Sequence, residues 1–290
     1  MFQIWLAAAR PRTLWAALAP VLVGTALAMS DGVYHAPSAS LALLAAMLMQ
    51  IGTNFSNDYS DFKKGADTET RRGPLRVTQA GLIRPRTMAI ATMIMFALAM
   101  AVALLLVMRA GWPLAVLGVV CVLAGLGYTA GPYPYGYRGL GEVFVLIFFG
   151  PVAVGGTYYV QALALTPQVV VAGLAPGFLA VAILVVNNLR DREEDAKAGK
   201  RTLAVRFGAH FARMQYLACI AGTLVVTLGM VCWQSGHTLA LVALAIGPMA
   251  YPGIKGVLSG VVGAELNPVL AFTAKLLLYY SVLFSLGWVL

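Results

Sequence analysis

Residues 87–108 read TMAIATMIMFALAMAVALLLVM, 22 positions without a charge. As a helix rising 1.5 Å per residue the run is about 33 Å long, a match to the ~30 Å hydrocarbon core of a bilayer. Arg84 and Arg86 stand before it and Arg109 closes it. The run is continuously apolar instead of alternating, so it predicts a membrane-spanning helix and not a barrel strand. Working outward, eight more runs of similar character lie at 13–29, 37–56, 112–128, 139–160, 168–189, 211–233, 238–258 and 268–289. The expected fold is an all-α polytopic membrane protein, a bundle of about nine transmembrane helices forming a single domain over residues 1–290.

Composition points the same way. Of 290 residues 60% are hydrophobic and 11% charged, against about 25% charged in soluble domains. So apolar a chain cannot cover a water-facing surface, which excludes a soluble globular enzyme. Disordered chains are poor in apolar residues, so disorder is excluded too. The net charge of +9 would suggest nucleic acid in a soluble protein. Here it follows from the cytoplasmic bias of Lys and Arg in membrane proteins, and no nucleic-acid partner is expected; the lipid bilayer is. With the amino terminus placed in the cytoplasm, 18 of the 20 basic residues fall in inner segments, Arg109 falls outside, and Lys275 lies within the last run. That split predicts a carboxyl terminus outside. The outer loops are short and carry no evident chemistry, so activity is expected on the cytoplasmic side. Cys121, Cys219 and Cys232 sit in apolar runs, and His35, His210 and His237 are scattered. Neither set has the spacing of a metal site or a disulfide framework.

The acids are the informative residues. Eight of 11 lie in two clusters, one of Asp58, Asp61, Asp67 and Glu69, the other of Asp191, Glu193, Glu194 and Asp195. Each cluster follows the inner end of an apolar run, the second and the sixth, and each is preceded by asparagines, Asn54 and Asn57 or Asn187 and Asn188. Asn54, Asp58 and Asp61 are spaced i, i+4, i+7, and Asn187, Asp191 and Asp195 are spaced i, i+4, i+8, so each trio is expected on one helix face. Stacked carboxylates repel and call for a cation; hard oxygen ligands suit Mg²⁺ together with substrate phosphates. Polar groups reaching into a span are costly and usually functional. Asn54, Asp58, Asp61, Asp67, Asn187, Asp191 and Asp195 are therefore the candidate metal ligands. Glu193 and Glu194 point off the face and read as solvated loop charge. Gly65 is expected to break the helix so that Asp67 can swing back. Basic residues flank both clusters, and Arg forks bind phosphate well. Arg76, behind Gly73-Pro74-Leu75, is the strongest of them; Lys64, Lys197 and Lys200 are the other candidates, though the inner bias of basic residues accounts for such positions as readily. Tyr128 and Tyr137 lie with Tyr133, Tyr135, Arg138 and Glu142 in one inner loop. They could shape an acceptor pocket or simply be interfacial tyrosines.

Three long motifs carry a resemblance. NDYSDFKKGADTETRRGPLR from Asn57, YTAGPYPYGYRGLGE from Tyr128 and NNLRDREEDAKAGKRTLAVRFG from Asn187, with ARPRTLWAALAPVLVG from Ala9, resemble the UbiA-type intramembrane prenyltransferases and, among them, the branch that prenylates a naphthoate in menaquinone synthesis. The wider pattern would place an aspartate at position 65, where this chain has Gly65. The resemblance implies an Mg²⁺-dependent enzyme of the bacterial inner membrane with its active site facing the cytoplasm. Its substrates would be a polyprenyl diphosphate and 1,4-dihydroxy-2-naphthoate, with CO2 and diphosphate lost. It assigns catalysis to Asp58, Asp61, Asp191 and Asp195, and substrate binding to Asn57, Lys64, Arg76, Tyr128, Tyr137, Arg138, Glu142, Lys197 and Lys200. Two other readings are weighed beside it: the same fold with another acceptor such as 4-hydroxybenzoate, and a secondary transporter using intramembrane carboxylates.

Overall fold

A computed structural model describes residues 1–65, 73 and 75–290, and among these there are helices and no strand. Asp67 and Glu69 lie outside the described residues. The chain opens with a short helix α1 (Phe2–Ala9), which turns sharply at Arg10 into α2 (Pro11–Ser30). Then α3 (Ala36–Lys63), α4 (Pro85–Ala110) and α5 (Trp112–Gly127) run back and forth. Next come α6 (Gly141–Ile147) and α7 (Ala153–Ala162), joined end to end by a π-helical turn at Phe148–Val152. The long α8 (Pro167–Arg190) follows, then the short α9 (Arg192–Lys197) and α10 (Leu203–Trp233), kinked at Gly208. The segment from Thr238 passes through a 3₁₀ turn into α11 (Ile246–Met249) and α12 (Tyr251–Leu258), and α13 (Asn267–Val289) closes the bundle.

Eight of these segments are long and apolar enough to cross a membrane, and the ninth apolar helix, α5, has 16 residues. The apolar runs thus mark the helices well. The main departure is at the end of α3, which continues to Lys63, past the apolar run that ends near residue 56. The added turns are the polar ones that carry Asn57, Asp58 and Asp61.

Burial is uneven across the bundle. In α8 two thirds of the apolar window (67%) is buried, in α3 only 11%. The helix α8 is the central post, with the main apolar core around Leu179, Val186 and Leu189 and neighbours from α10 and α13 such as Tyr216, Ile220 and Leu277. Small residues let the fifth span press onto α8: a Cβ added at Gly173 would stand 2.7 Å from Pro151 Cα, so only glycine fits that crossing. Buried hydroxyls satisfy their hydrogen bonds inside the bundle, as apolar surroundings demand; Thr227 Oγ1 donates to Thr223 O at 2.8 Å and lies 3.0 Å from the Tyr280 hydroxyl.

The other side of the bundle is open. Between α2, α3, α4, α5, the fifth span and α8 runs a cavity of about 440 Å³. At one end it touches Asp61, Asp191 and Asp195, and at the other Leu106, Leu114 and Val160. The helix order places those two sets at opposite ends of the spans, so the cavity runs from the charged end of the bundle deep into its apolar length.

Candidate functional site

The mouth of the cavity is built from two helix ends. At 100° per residue, Asn57, Asp61 and Asn54 share an arc of about 60° on α3, and Asp58 lies about 40° beyond its edge. The first three line the cavity; Asp58 does not. Asp61 Oδ1 accepts from the Tyr137 hydroxyl at 2.8 Å and Oδ2 from Arg76 Nη2 at 2.5 Å. Asn57 Oδ1 accepts from Thr129 Oγ1 at 2.9 Å, and Asn54 Nδ2 donates to Ala9 O and to Thr13 Oγ1, both at 2.9 Å.

Asp58 is placed differently from its expected role as a metal ligand. It is buried, and its oxygens accept the backbone N–H groups of Thr78 at 3.0 Å and Val77 at 3.2 Å. The carboxylate closes the turn that leads into α4, where Val77, Ile83 and Met88 pack with Phe55 in a small core. The expected single face is therefore corrected: four residues at about 100° each carry Asp58 about 40° past Asn54, onto the loop side, while Asp61, seven residues on, falls back to within about 20° of Asn54 and stays on the cavity.

The second helix end is also corrected in detail. Asn187 lies on α8, but the helix stops at Arg190, Asp191 is its cap with φ −92° and ψ 5°, and Asp195 belongs to α9. Asp195 N still donates to Asp191 O at 2.8 Å, so the break keeps the spacing, and all three side chains line the cavity. Glu194 lines it too, against the expectation that it points away; Glu193 is exposed.

One residue of this end was counted among the inner basic residues and nothing more. Arg190 is 2% exposed and grips Asp191 with a fork, Nε to Oδ1 and Nη2 to Oδ2, both at 2.6 Å. It also donates to Asn187 Oδ1 at 2.8 Å and to Asn267 Oδ1, at the start of α13, at 3.0 Å. A buried guanidinium between two asparagines and a carboxylate is a built feature, not a solvated loop charge.

Tyr137 joins the two ends. Its hydroxyl reaches Asp61, while Lys64 Nζ lies 4.8 Å and Lys200 Nζ 5.5 Å from the centre of its ring. Lys200 pairs with Asp195 at 3.3 Å. Burial works against the Lys200 charge, but Asp195, Asp61 and Asp191 together outweigh it and hold the ammonium above its usual range. Burial pushes the Asp195 carboxyl up to about 6; Lys200 pulls it back, and Asp191 and Asp61 push it further. The three cavity carboxylates thus act on one another across the mouth, which is the electrostatic pattern that attracts a cation.

Other expected site residues fall away from the cavity. Arg138 is exposed, its guanidinium 4.5 Å from the Tyr133 ring centre, and Lys197 is exposed on α9. Glu142 is buried, with Oε1 accepting from Asn188 Nδ2 at 2.9 Å, and ties α6 to α8 behind the cavity wall. Lys64 donates to Thr129 O at 2.6 Å, with burial lowering the pKa of its ammonium, and does not line the cavity. Arg76, Tyr128, Tyr137 and Lys200 do line it. Lys275 is exposed on the outer surface of α13.

The fit to a divalent cation rests on chemistry and on one orphaned atom. The donors at the mouth are all oxygens, as Mg²⁺ prefers. Asp195 Oδ2 is buried with no hydrogen-bond partner. Among the described residues no three acids, histidines or cysteines form a ready-made cage. Arg76, Arg190 and Lys200 stand against the carboxylates instead.

Comparisons with known proteins agree on this architecture. Residues 17–259 match the model of the UbiA prenyltransferase family. A protein of Mycobacterium tuberculosis named 1,4-dihydroxy-2-naphthoate octaprenyltransferase is 42% identical over 97% of this chain and 94% of its own. One of the same name from Escherichia coli is 40% identical over 98% and 94%. In fold, the chain is similar to a UbiA homologue from Archaeoglobus fulgidus solved with GPP and Mg²⁺, at TM-score 0.67 and 19% identity over 97% of this chain and 99% of that one.

Proposed function

We propose a specific reaction for this chain, which belongs to the UbiA prenyltransferase family: transfer of a polyprenyl chain from polyprenyl diphosphate to 1,4-dihydroxy-2-naphthoate, with loss of CO2 and diphosphate, giving the quinol form, demethylmenaquinol. The observation that carries it is identity of about 40% along nearly the whole length to naphthoate octaprenyltransferases. The geometry supports it, because the cavity has an acidic and basic mouth and an apolar body of membrane depth, one end for a diphosphate and one for a prenyl tail.

In this reading Asp61, Asp191 and Asp195, with Asn57 and Asn187, hold Mg²⁺, and Arg76 and Lys200 take the remaining charge of the diphosphate. Bound Mg²⁺ supplies charge neutralisation for the diphosphate leaving group. The allylic C1–O bond breaks with its electron pair going to the diphosphate. The resulting allyl cation lies among Phe144, Phe148 and Phe149, apolar walls of the cavity that keep water away. The ring carbon bearing the carboxylate attacks C1. The bond to the carboxylate then breaks, its electron pair restores the aromatic ring, and CO2 leaves. No strong base is required, and among the described residues that line the cavity there is no histidine.

The same reading places the mouth on the cytoplasmic side of a bacterial inner membrane. A reporter fused after Leu290 should read outside and one in the 63–86 loop inside; an inside reading at the carboxyl terminus refutes that orientation. The acceptor is tested by a panel: purified protein, Mg²⁺, one labelled polyprenyl diphosphate, and several aromatic acids. The naphthoate should give a decarboxylated prenylated product. Turnover only with 4-hydroxybenzoate, or none with any acceptor, overturns the assignment.

A further inference from the structure

Arg10 stands at the joint of α1 and α2, and its backbone is left-handed, with φ 52° and ψ 71°. Among the described residues only Arg10 and Leu163 adopt positive φ without being glycine. Leu163 ends α7 and leads into a loop. Arg10 ends one helix and starts the next with no residue between, a position where glycine or asparagine would be free of strain. Strain of this kind persists where the surroundings over-determine it, and such places are often functional.

The surroundings of Arg10 come from the site. Thr13 donates both its backbone N–H, at 2.8 Å, and its Oγ1, at 2.9 Å, to Arg10 O. Asn54 on α3, one turn before Asp58, binds Ala9 O and Thr13 Oγ1 and so holds the joint from both sides. Arg10 lines the cavity from the α1–α2 joint, and Asp191 and Asp195 of the second helix end line the same cavity. Other cations at this end of the bundle lie against its carboxylates, Arg76 at Asp61, Arg190 at Asp191 and Lys200 at Asp195.

We infer that Arg10 is a substrate-binding residue whose guanidinium receives a pair of anionic oxygens, and that the left-handed joint exists to aim it. The inference rests on the prenyl-transfer reading above. A planar fork suits a carboxylate or a phosphate equally, so the ligand is either the carboxylate of the aromatic acceptor or the diphosphate of the donor.

The decisive variant is Arg10→Gly. Glycine adopts the left-handed joint without strain, so it removes the guanidinium and leaves the kink. Thermal stability should be unchanged or higher. The KM of one substrate should rise about ten- to a hundredfold, the effect of losing one charge-assisted contact. The substrate affected identifies the ligand, and equilibrium binding of labelled polyprenyl diphosphate in Mg²⁺ should weaken in step if it is the donor. Arg10→Asn, also tolerant of this backbone, should behave alike, and Arg10→Lys, which keeps charge without the fork, should fall between. Unchanged KM for both substrates in a folded Arg10→Gly protein overturns the proposal. So does loss of stability in both Arg10→Gly and Arg10→Asn, which would make the guanidinium a structural group. Failure of the wild type to prenylate any acceptor strikes the functional reading instead.

Discussion

The two acid-bearing helix ends meet one cavity from opposite kinds of support. The second is rooted in the most buried helix of the bundle, and Arg190 braces it from behind by gripping Asp191, Asn187 and Asn267 at once. The first projects from a helix with one wall on the open cavity, and its brace is a loop: Asp58 holds the backbone at 77–78, and Arg76 from that loop reaches back to Asp61. A carboxylate one turn from a cavity-lining carboxylate can thus be part of the scaffold. Asp58 and Asp61 are three residues apart, yet one holds a turn and the other faces the cavity.

The largest effects should fall on the cavity carboxylates. Asp61→Asn, Asp191→Asn and Asp195→Asn should each lower turnover about 10²–10³-fold, the usual cost of removing an electrostatic contact to a developing charge, measured at equal membrane expression. A nearly silent Asp191→Asn would detach the second end from the chemistry. Next comes Arg190→Met. It removes a buried charge and leaves Asp191 unpaired, which should cost about 3–5 kcal/mol of stability, read as a lowered unfolding midpoint in detergent. If the two ends are braced as described, Asp58→Asn should resemble Arg190→Met in kind but be smaller. It should cost about 1–3 kcal/mol through unpaired backbone donors, with turnover per folded molecule falling less than about tenfold. A loss as deep as that of Asp61→Asn would put Asp58 among the metal ligands after all. The smallest effects separate neighbours. Glu193→Gln, Lys197→Gln and Arg138→Gln, all exposed, should each leave turnover within about twofold of wild type. Glu194→Gln, on the cavity, should lower it more than Glu193→Gln does.

Much of this was legible in the sequence, for reasons that can be named. The spans follow from uninterrupted apolar runs, because no other structure satisfies the backbone in lipid. The two acid clusters stand out because charge is so scarce elsewhere in the chain. Four things were not legible. The helix α1 is too short for its periodicity to separate it from the span that follows. The break at Asp191 leaves the i, i+4, i+8 spacing intact, so the pattern reads the same with or without it. Arg190 looks like any inner basic residue until the packing shows it buried, and the same inner bias accounts for Arg138 and Lys197 as readily as a site role does. The role of Asp58 depends on a loop 19 and 20 residues further on, a contact that helical spacing alone cannot supply.

The central claim is that both helix ends hold the diphosphate of the donor through Mg²⁺. Equilibrium binding of a labelled polyprenyl diphosphate to the purified protein tests it most directly, with the wild type compared with Asp61→Asn and Asp191→Asn, each in Mg²⁺ and in excess chelator. The account predicts tight binding by the wild type in Mg²⁺, its loss in chelator, and weak binding by either variant under both conditions. Equal binding by the wild type with and without chelator, or undiminished binding by both variants, would contradict it.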